Sequence, residues 1–353
     1  MPTSGTVSTT IFRTRKVIEL VYRGCKIKPQ DIGPERVQTA LDLLFMRLSS
    51  MANRGIALWA VEKHILPLYI GTQSVPLPLG SLDLLNCNLR KLQRVLGTNS
   101  SSEGVADNAF DSDLSTACIE TTPNGYIQVL YETAIRITNF GLLPNASGAW
   151  NYELQGSTDD GATWTTFYTS ETDQAMVNGE WFWFDIEGLN EYDAIRLQAT
   201  SGTILNVTEF VTGNMPNEIP CAALNRDQYS DLPNKTFLGR PVQYWYDKQI
   251  PQPVVTLWPA PGNEFTFYQL VCYIHRYVQD VGSMYQELEI PQSWYMPVVA
   301  RLKGDIAMTD DEVDPSLVGT LDEIGEREWK AAWDGQTDGS PVYLTPNIRN
   351  YTR

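Results

Sequence analysis

Residues 99–213 constrain the fold more than any other part of the chain, because they combine an acidic composition with a series of short apolar runs. They hold 17 Asp and Glu against two cations, Arg136 and Arg196, in a chain of 353 residues with a net charge of −16. Six strand-like runs follow one another with turn residues between them: YIQVLY, IRITNFGLL, WNYELQGS, WTTFYTS, WFWFDIEG and AIRLQATSG. No helical pattern intervenes, so the block predicts an all-β sandwich or jelly roll.

The sequence on either side differs in charge and suggests that the block is an insertion. Residues 1–98 have a net charge of +7, whereas residues 99–213 have −15, and such a change is typical of a domain boundary. GTNSSSEG, at the junction, is typical of a linker. Strand-like runs occur both before and after the block, so we predict a discontinuous host domain of residues 1–98 and 214–339, with 99–213 inserted as a self-contained domain.

The host is predicted to contain four helices. Helical spacing of apolar residues predicts one helix from Ser8 or Thr9 to Tyr22 and a second that begins at Pro34, and together they form a helical hairpin. Two more are predicted near the C-terminus, over residues 293–307 and over residues 315–333 with Asp314 as N-cap.

The remaining host runs predict a small β-sheet. Pro67, Pro76 and Pro78 interrupt the runs before the block, which suits edge strands. RPVQYWYD and VVTLWP form a hairpin candidate, and EFTFYQLVCYIHR is apolar on both faces, as in a strand covered on both sides. The fold class predicted for the whole chain is therefore α+β, with helices and a small sheet in the host and an inserted all-β jelly roll.

Several functional classes are disfavoured by what the sequence lacks. It contains no run of 18 apolar residues, so no membrane span is predicted. It also has no apolar segment of the signal-peptide kind, so export by the usual route is not predicted. Its five Cys are scattered and are expected to be reduced, buried thiols. Phosphate-loop, HExxH and GxSxG motifs do not occur, and His64 and His275 are interpreted as ordinary strand positions. An enzyme, with two block carboxylates at glycosidase spacing, is the least favoured function, and neither a catalytic residue nor a catalytic cofactor is assigned.

Five stretches outside the acidic block carry a second signal: NRGIALWAVEKHILPL, VPLPLGSLDLLNCNLRK, RDQYSDLPNKTFLGRPVQYWYDKQIPQPVVTLWPAPG, QDVGSMYQELEIPQSWYMPVVARLKGDIA and DGSPVYLTPNIRNYTR. Together they resemble the head-to-tail adaptor (connector) proteins of tailed phages, with short-tailed phages the nearest comparison. The resemblance covers about residues 10–98 and 214–353, and none of its segments encodes chemistry.

The resemblance implies a structural virion protein at the head–tail junction, assembled in the host cytoplasm. Its expected partners are further copies of the chain in a ring, dodecameric by resemblance, the portal protein above, and tail nozzle or tail-fibre proteins below. Packaged DNA would pass through the ring without specific contacts, and no membrane is involved. The alternative is a carbohydrate-binding decoration or tail-fibre-associated protein.

The block itself resembles a different family. NAFDSDLSTAC (108–118), WNYELQGSTDDGATWTTF (150–167) and AIRLQATSGTILNVTEF (194–210) are similar to the galactose-binding-like jelly rolls of the discoidin or coagulation-factor C type. Cys118 is a departure, since the family usually has an aromatic residue there. The resemblance implies a glycan as a further partner, and sugar binding needs exposed rings. The candidates are Trp150, Trp164, Trp181 and Trp183, although most strand aromatics belong to a core.

The early loop of the block is also a candidate metal site. Asp111, Asp113 and Thr116 offer oxygen ligands at short spacing, as Ca²⁺ requires, and the resemblance implies that Glu209 completes the set. The alternative is a turn in which Asp and Thr only satisfy backbone donors. Structural Ca²⁺ is the one cofactor that the sequence suggests.

The C-terminal stretch SPVYLTPNIRNYTR, residues 340–353, predicts an extended arm. Pro341 and Pro346 interrupt any helix, and the composition suits a peptide laid along a neighbouring surface. The resemblance makes the portal the acceptor. The expected partner-binding residues are Pro341, Val342, Tyr343, Leu344, Ile348, Arg349, Tyr351 and Arg353.

Overall fold

The structure is a computed structural model that describes residues 12–336 apart from 52–54, 56, 95, 187–189 and 264–266. The predicted arm, residues 340–353, therefore lies outside the described residues. The helices are α1 (Thr14–Gly24), α2 (Pro34–Met51), α3 (Arg226–Ser230), α4 (Tyr295–Thr309) and α5 (Pro315–Asp334). None of the helices in the described part of the chain is long and apolar enough to cross a membrane.

The chain is a mixed α+β protein built mostly of strands. The strands are β1 (Val61–Pro67), β2 (Ser74–Pro76), β3 (Ser81–Arg94), β4 (Thr98–Ser101), β5 (Cys118–Ile119), β6 (Tyr126–Arg136), β7 (Asn139–Pro144), β8 (Gly148–Trp150), β9 (Tyr152–Ser157), β10 (Thr165–Thr169), β11 (Gln174–Met176), β12 (Phe182–Asp185), β13 (Glu191–Ala199), β14 (Asn206–Pro220), β15 (Ala222–Leu224), β16 (Leu238–Gly239), β17 (Gln243–Asp247), β18 (Val254–Trp258), β19 (Ala260–Pro261) and β20 (Tyr268–Arg276).

The chain divides into two compact units. Unit 1 draws on Met1–Glu62, Gly80–Asp83 and His275–Arg353, and unit 2 on Lys63–Leu79 and Leu84–Ile274. This division by compactness keeps residues 99–213 together with several host strands. Independent folding of residues 99–213, on which the predicted domain boundaries depend, stays a prediction.

Unit 1 is organised around α4, which packs against α1, α2 and α5. Ten of its 15 residues are buried, so it is covered on most sides. The rings of Trp294 and Trp329 meet edge to face, with centroids 5.5 Å apart. Asp314 caps α5 by accepting a hydrogen bond from the Ser316 N–H at 2.9 Å, which confirms the predicted cap and start of this helix.

Two glycines allow α4 and α5 to approach each other closely. A Cβ atom built on Gly325 would lie 3.0 Å from the carbonyl oxygen of Ala300, and one on Gly304 would lie 3.1 Å from the Cα of Asp322. Gly319, also in α5, has no such neighbour within 4 Å. Any larger residue at Gly325 would therefore push the two helices apart.

Unit 2 contains the predicted β-sandwich. One layer is a five-stranded sheet in the order β10-β9-β13-β6-β4, and the other is formed by β14, β7 and β12 of a seven-stranded sheet, in which β5 also pairs with β14. Ile127, Leu154 and Leu197 of the first layer pack in one core with Phe140 and Phe210 of the second. The all-β sandwich expected from the series of apolar runs is confirmed.

Strand β14 connects the sandwich to the host strands. Its first half pairs with β7 up to Gly213, and its second half, from Gly213 to Pro220, pairs with β3. The full sheet has the order β1-β20-β3-β14-β7-β12. The predicted boundary at residue 213 thus falls inside a continuous strand.

The buried Arg90 ties three strands of this sheet together. Its side chain on β3 is 3% exposed, and it forms ion pairs with Asp185 at the end of β12 and Glu218 on β14, both at 2.7 Å. Asp185 also accepts hydrogen bonds from Lys63 and, at 2.7 Å, from Asn139. Each charge of this cluster therefore has a counter-charge.

The aromatic, proline-rich host stretch forms part of a four-stranded sheet in the order β15-β17-β18-β2. The predicted hairpin is confirmed, because β17 and β18 pair antiparallel. β1 and β2 lie at sheet edges, as their prolines indicate. Cys87, Cys221 and Cys272 belong to the core beneath, and all five cysteines are free and buried, as expected.

Some local predictions are wrong. The expected linker at residues 97–104 contains β4, which pairs with β6 at the edge of the five-stranded sheet, because the open edge of β6 offers hydrogen bonds to a polar strand. The run expected at 135–143 is split between β6 and β7, and the run at 150–157 between β8 and β9. The first helix is predicted to begin at Ser8 or Thr9, but it begins at Thr14, after the extended Arg13.

Candidate functional site

The predicted metal loop lies between a 3₁₀ turn at Ala106–Ala109 and β5. Asp111 accepts a hydrogen bond from the Asp113 N–H at 2.8 Å, and Asp113 accepts from the hydroxyl and the N–H of Ser115 at 2.7 and 3.0 Å. These bonds from Ser115 lower the pKa of Asp113. The loop thus orients both carboxylates through its own hydrogen bonds.

Several oxygens of this loop converge on the Thr116 hydroxyl. Its Oγ1 lies 2.8 Å from Asp111 Oδ2, 2.9 Å from the Asp113 carbonyl oxygen and 3.5 Å from the Asn108 carbonyl oxygen. A hydroxyl has one proton, so it can satisfy only one of the three acceptors at a time. The Thr116 N–H also donates to the Asp113 carbonyl oxygen, at 3.2 Å. The carboxylate and carbonyl oxygens gathered here are of the type that a hard cation binds.

Glu209 lies on β14, the strand that the loop packs against. It is fully buried, and it follows a β-bulge in the pairing of β14 with β7. Phe110 and Phe210 are in ring contact at 5.8 Å. Asp111, Asp113 and Glu209 are not brought together as a metal-binding group, because no set of three or more His, Cys, Asp or Glu suited to a metal occurs in the described ranges. The oxygen atoms of the loop are of the type that Ca²⁺ binds, and the four-residue site stays a prediction.

Cys118, the departure from the family pattern, is a core residue. It pairs with Val207 across β5 and β14, and burial raises the pKa of its thiol to about 11. It therefore behaves as a small apolar side chain.

The outward side of the five-stranded sheet is polar. The alternate residues Ile127, Leu154 and Leu197 point into the core, so their neighbours point the other way. We call this side the outer face. Its first row, read across the five strands, is Ser100, Gln128, Arg196, Gln155 and Thr166, and its second row is Tyr126, Gln198, Glu153 and Thr169.

Arg196 occupies the centre of the outer face, on the middle strand β13. Its guanidinium carbon lies 4.3 Å from the ring centroid of Trp164 and 5.5 Å from that of Tyr126. Nε and Nη2 both donate to Gln155 Oε1, Nε at 3.0 Å. Within the described part of the chain, no carboxylate forms an ion pair with Arg196, and burial lowers its pKa.

The turn before β10 holds Trp164 over this guanidinium. Asp159 accepts hydrogen bonds from the Thr163 N–H at 2.8 Å and from the Thr163 hydroxyl at 2.7 Å, while Asp160 and Gly161 adopt positive φ of 56° and 84°. A fixed Asx-type turn of this kind orients the residue that follows it.

The four tryptophans predicted as sugar candidates have different environments. Trp150 and Trp181 are buried, and Trp183 stacks on Trp181 with centroids 4.5 Å apart. Only Trp164 of the four contacts the outer face. Arg196 was not singled out from the sequence, although it is one of two cations in the acidic block, because the cross-strand neighbours that give it a role are set by register.

Comparison with known proteins identifies the sandwich. Residues 97–210 match the family model of the F5/8 type C domain, which confirms the galactose-binding-like jelly roll expected from the sequence. No curated protein matches the chain.

Similar solved structures include several carbohydrate-binding modules. Chitosan-binding module 1 from the chitosanase/glucanase of Paenibacillus sp. IK-5 is 21% identical, with a TM-score of 0.30, and the match covers 35% of this chain and 98% of the module. CBM62 from Clostridium thermocellum Xyl5A is 18% identical, with a TM-score of 0.31 and coverage of 35% and 97%. The family 32 CBM of C. perfringens NanJ, in complex with galactose, is 14% identical, with a TM-score of 0.29 and coverage of 33% and 93%. At these TM-scores the likenesses carry no argument about the ligand of this chain, and the F5/8 type C domain assigned to residues 97–210 rests on the family match alone.

Proposed function

We propose that this chain is a non-enzymatic protein whose F5/8 type C sandwich binds a glycan. The observation that carries the proposal is the family match over residues 97–210. The outer face supports it, because amide and hydroxyl groups such as those of Gln128 and Thr166 suit sugar hydroxyls, and Trp164 and Tyr126 supply rings beside them.

A glycan array followed by titration calorimetry on the full chain tests this proposal. We expect a subset of glycans to bind, and Trp164→Ala to weaken that binding about tenfold. Tyr285→Ala is the matched control, since this ring is 71% exposed and lies outside the sandwich. If no saccharide, neutral or charged, binds the full chain, the proposal is wrong.

A second candidate function concerns the rest of the chain. We propose that it is the scaffold of a head-to-tail adaptor, placed at the head–tail junction of a virion and assembled in the host cytoplasm. The resemblance of its segments supports this proposal.

The two functions are compatible, because an adaptor ring could present the sandwich as a glycan-binding decoration. Light scattering and electron microscopy of the purified chain, alone and with its portal protein, test the adaptor role. We expect a closed ring that binds the portal and encloses a channel for DNA. A chain that stays monomeric under both conditions would favour the free-standing carbohydrate-binding alternative.

A further inference from the structure

We propose that the outer face binds an acidic glycan, whose carboxylate pairs with Arg196. The inference deepens the proposed glycan function and rests on it. It names both the surface that holds the sugar and the chemical class of the sugar, a saccharide that carries a carboxylate.

The first argument is the charge of Arg196. It is one of two cations among residues 99–213, against 17 acids, yet no ion pair engages it in the parts of the chain that the structure describes. It is half-buried at the centre of the sheet, where the guanidinium loses hydration and only the neutral Gln155 amide and two rings compensate for it. A carboxylate from outside would supply the missing counter-charge.

The second argument is the geometry of the guanidinium. Gln155 takes hydrogen bonds from Nε and Nη2, which are adjacent on one edge of the group. The end that carries Nη1 and the second Nη2 proton has no acceptor among the described residues. Two parallel N–H groups at the end of an arginine match the two oxygens of a carboxylate.

The third argument is that this side chain is held in place before any ligand arrives. Trp164 and Tyr126 flank the guanidinium at 4.3 and 5.5 Å. A preorganised donor binds more tightly because less side-chain freedom is lost.

Glu153, the one carboxylate in the two described rows, does not compete for Arg196. Glu153 accepts hydrogen bonds from Gln155 Nε2 at 2.9 Å and from the Thr166 hydroxyl at 2.8 Å. Its charge is therefore satisfied by neutral donors. The other members of the two rows are neutral, so they suit the hydroxyls of the sugar rather than a second charge.

The test compares ligands that differ only in charge. Titration calorimetry on the full chain would use oligogalacturonate and its methyl ester, and sialyllactose and its methyl ester. We expect one acidic member to bind about tenfold or more tightly than its neutral counterpart, with an affinity that falls as salt is added.

Variants test whether Arg196 causes the preference for the acidic ligand. Arg196→Gln should abolish the preference for the acidic ligand, and Arg196→Lys, which keeps the charge but loses the fork, should restore only part of it. Arg136→Gln, at the other cation of the block, is the matched control and should change nothing. If Arg196→Gln unfolds, the comparison of each acid with its neutral counterpart still decides the question on the unmodified chain.

The outcomes separate the two proposals. Equal affinity for acidic and neutral sugars, unchanged by Arg196→Gln, would overturn the acidic specificity and leave glycan binding intact. Absence of binding to every saccharide would overturn both. Competition by free acetate or inorganic phosphate at the same concentration as the sugar would identify a simple anion site and also overturn the acidic-glycan proposal.

Discussion

Removing Arg90 should destabilise unit 2 more than removing any exposed charge. Arg90→Ala leaves Asp185 and Glu218, which both pair with it at 2.7 Å, without their shared cation. Losing one partner of a buried ion pair costs about 3–5 kcal/mol. Because the two carboxylate side chains are 35% and 27% exposed, water screens part of their repulsion, and we expect about 3 kcal/mol. For a unit of this size, this lowers Tm by roughly 6–12 °C.

The pH dependence of this loss is also predicted. Burial alone would raise the pKa of both carboxyl groups. Hydrogen bonds from Lys63 and Arg90 outweigh this effect and lower the pKa of Asp185. Hydrogen bonds from Arg90 and Asn88 do the same for Glu218. A lowered carboxyl pKa stabilises the fold above the unfolded pKa, and this contribution is lost as the pH falls through the folded value. The gap between Arg90→Ala and the unmodified chain should therefore narrow below the ordinary values of 3.8 and 4.5.

Differential scanning calorimetry at pH 7 and pH 3, together with urea unfolding, measures these differences. The control is Arg15→Ala, which breaks an exposed pair with Glu19 and should leave Tm unchanged. Arg90→Met combined with Asp185→Asn and Glu218→Gln should recover most of the stability, because no buried charge is left alone. A loss below about 1 kcal/mol for Arg90→Ala, or a triple variant as unstable as the single one, would refute the reasoning.

Four further predictions follow from the two units and the arm. Gly325→Ala should cost about 1–3 kcal/mol by urea unfolding, because its Cβ would strike α4, whereas Gly319→Ala should be neutral or stabilising by up to about 1 kcal/mol; equal effects would contradict the close approach. Ca²⁺ should raise Tm relative to chelator, and Asp111→Ala should remove that rise; identical scans would count against the site. Residues 99–213 expressed alone should unfold cooperatively by circular dichroism, and a disordered fragment would contradict the insertion. Truncation after Gly339 should leave Tm unchanged while preventing portal co-assembly, and undiminished portal binding would exclude the arm as the docking element.

Predictions from the sequence succeed where the signal is local. Asp314 and Pro315 mark the start of α5 through capping chemistry that involves only adjacent residues. The alternation in Tyr126–Arg136 likewise predicts β6, because a half-buried strand imposes a period of two.

Predictions from the sequence fail where contacts with a segment distant in sequence decide the local structure. TNSS has the composition of a linker, and it becomes β4 only because the edge of β6 accepts it. The role of Arg196 depends on which residues of β6 and β9 lie beside it, and a shift of one residue would replace all of them. The acidic block is predicted to end at Gly213, yet β14 continues through this residue.

The continuity of β14 has a mechanical consequence. Its 15 residues span about 50 Å, and one end is hydrogen-bonded to the sandwich while the other is bonded to β3. Tension applied along β14 by a tethered sugar would act in shear, across many β14–β3 hydrogen bonds at once, instead of opening them one by one as in a zipper. A sandwich attached in this way can resist such tension while its outer face keeps a fixed direction relative to the seven-stranded sheet.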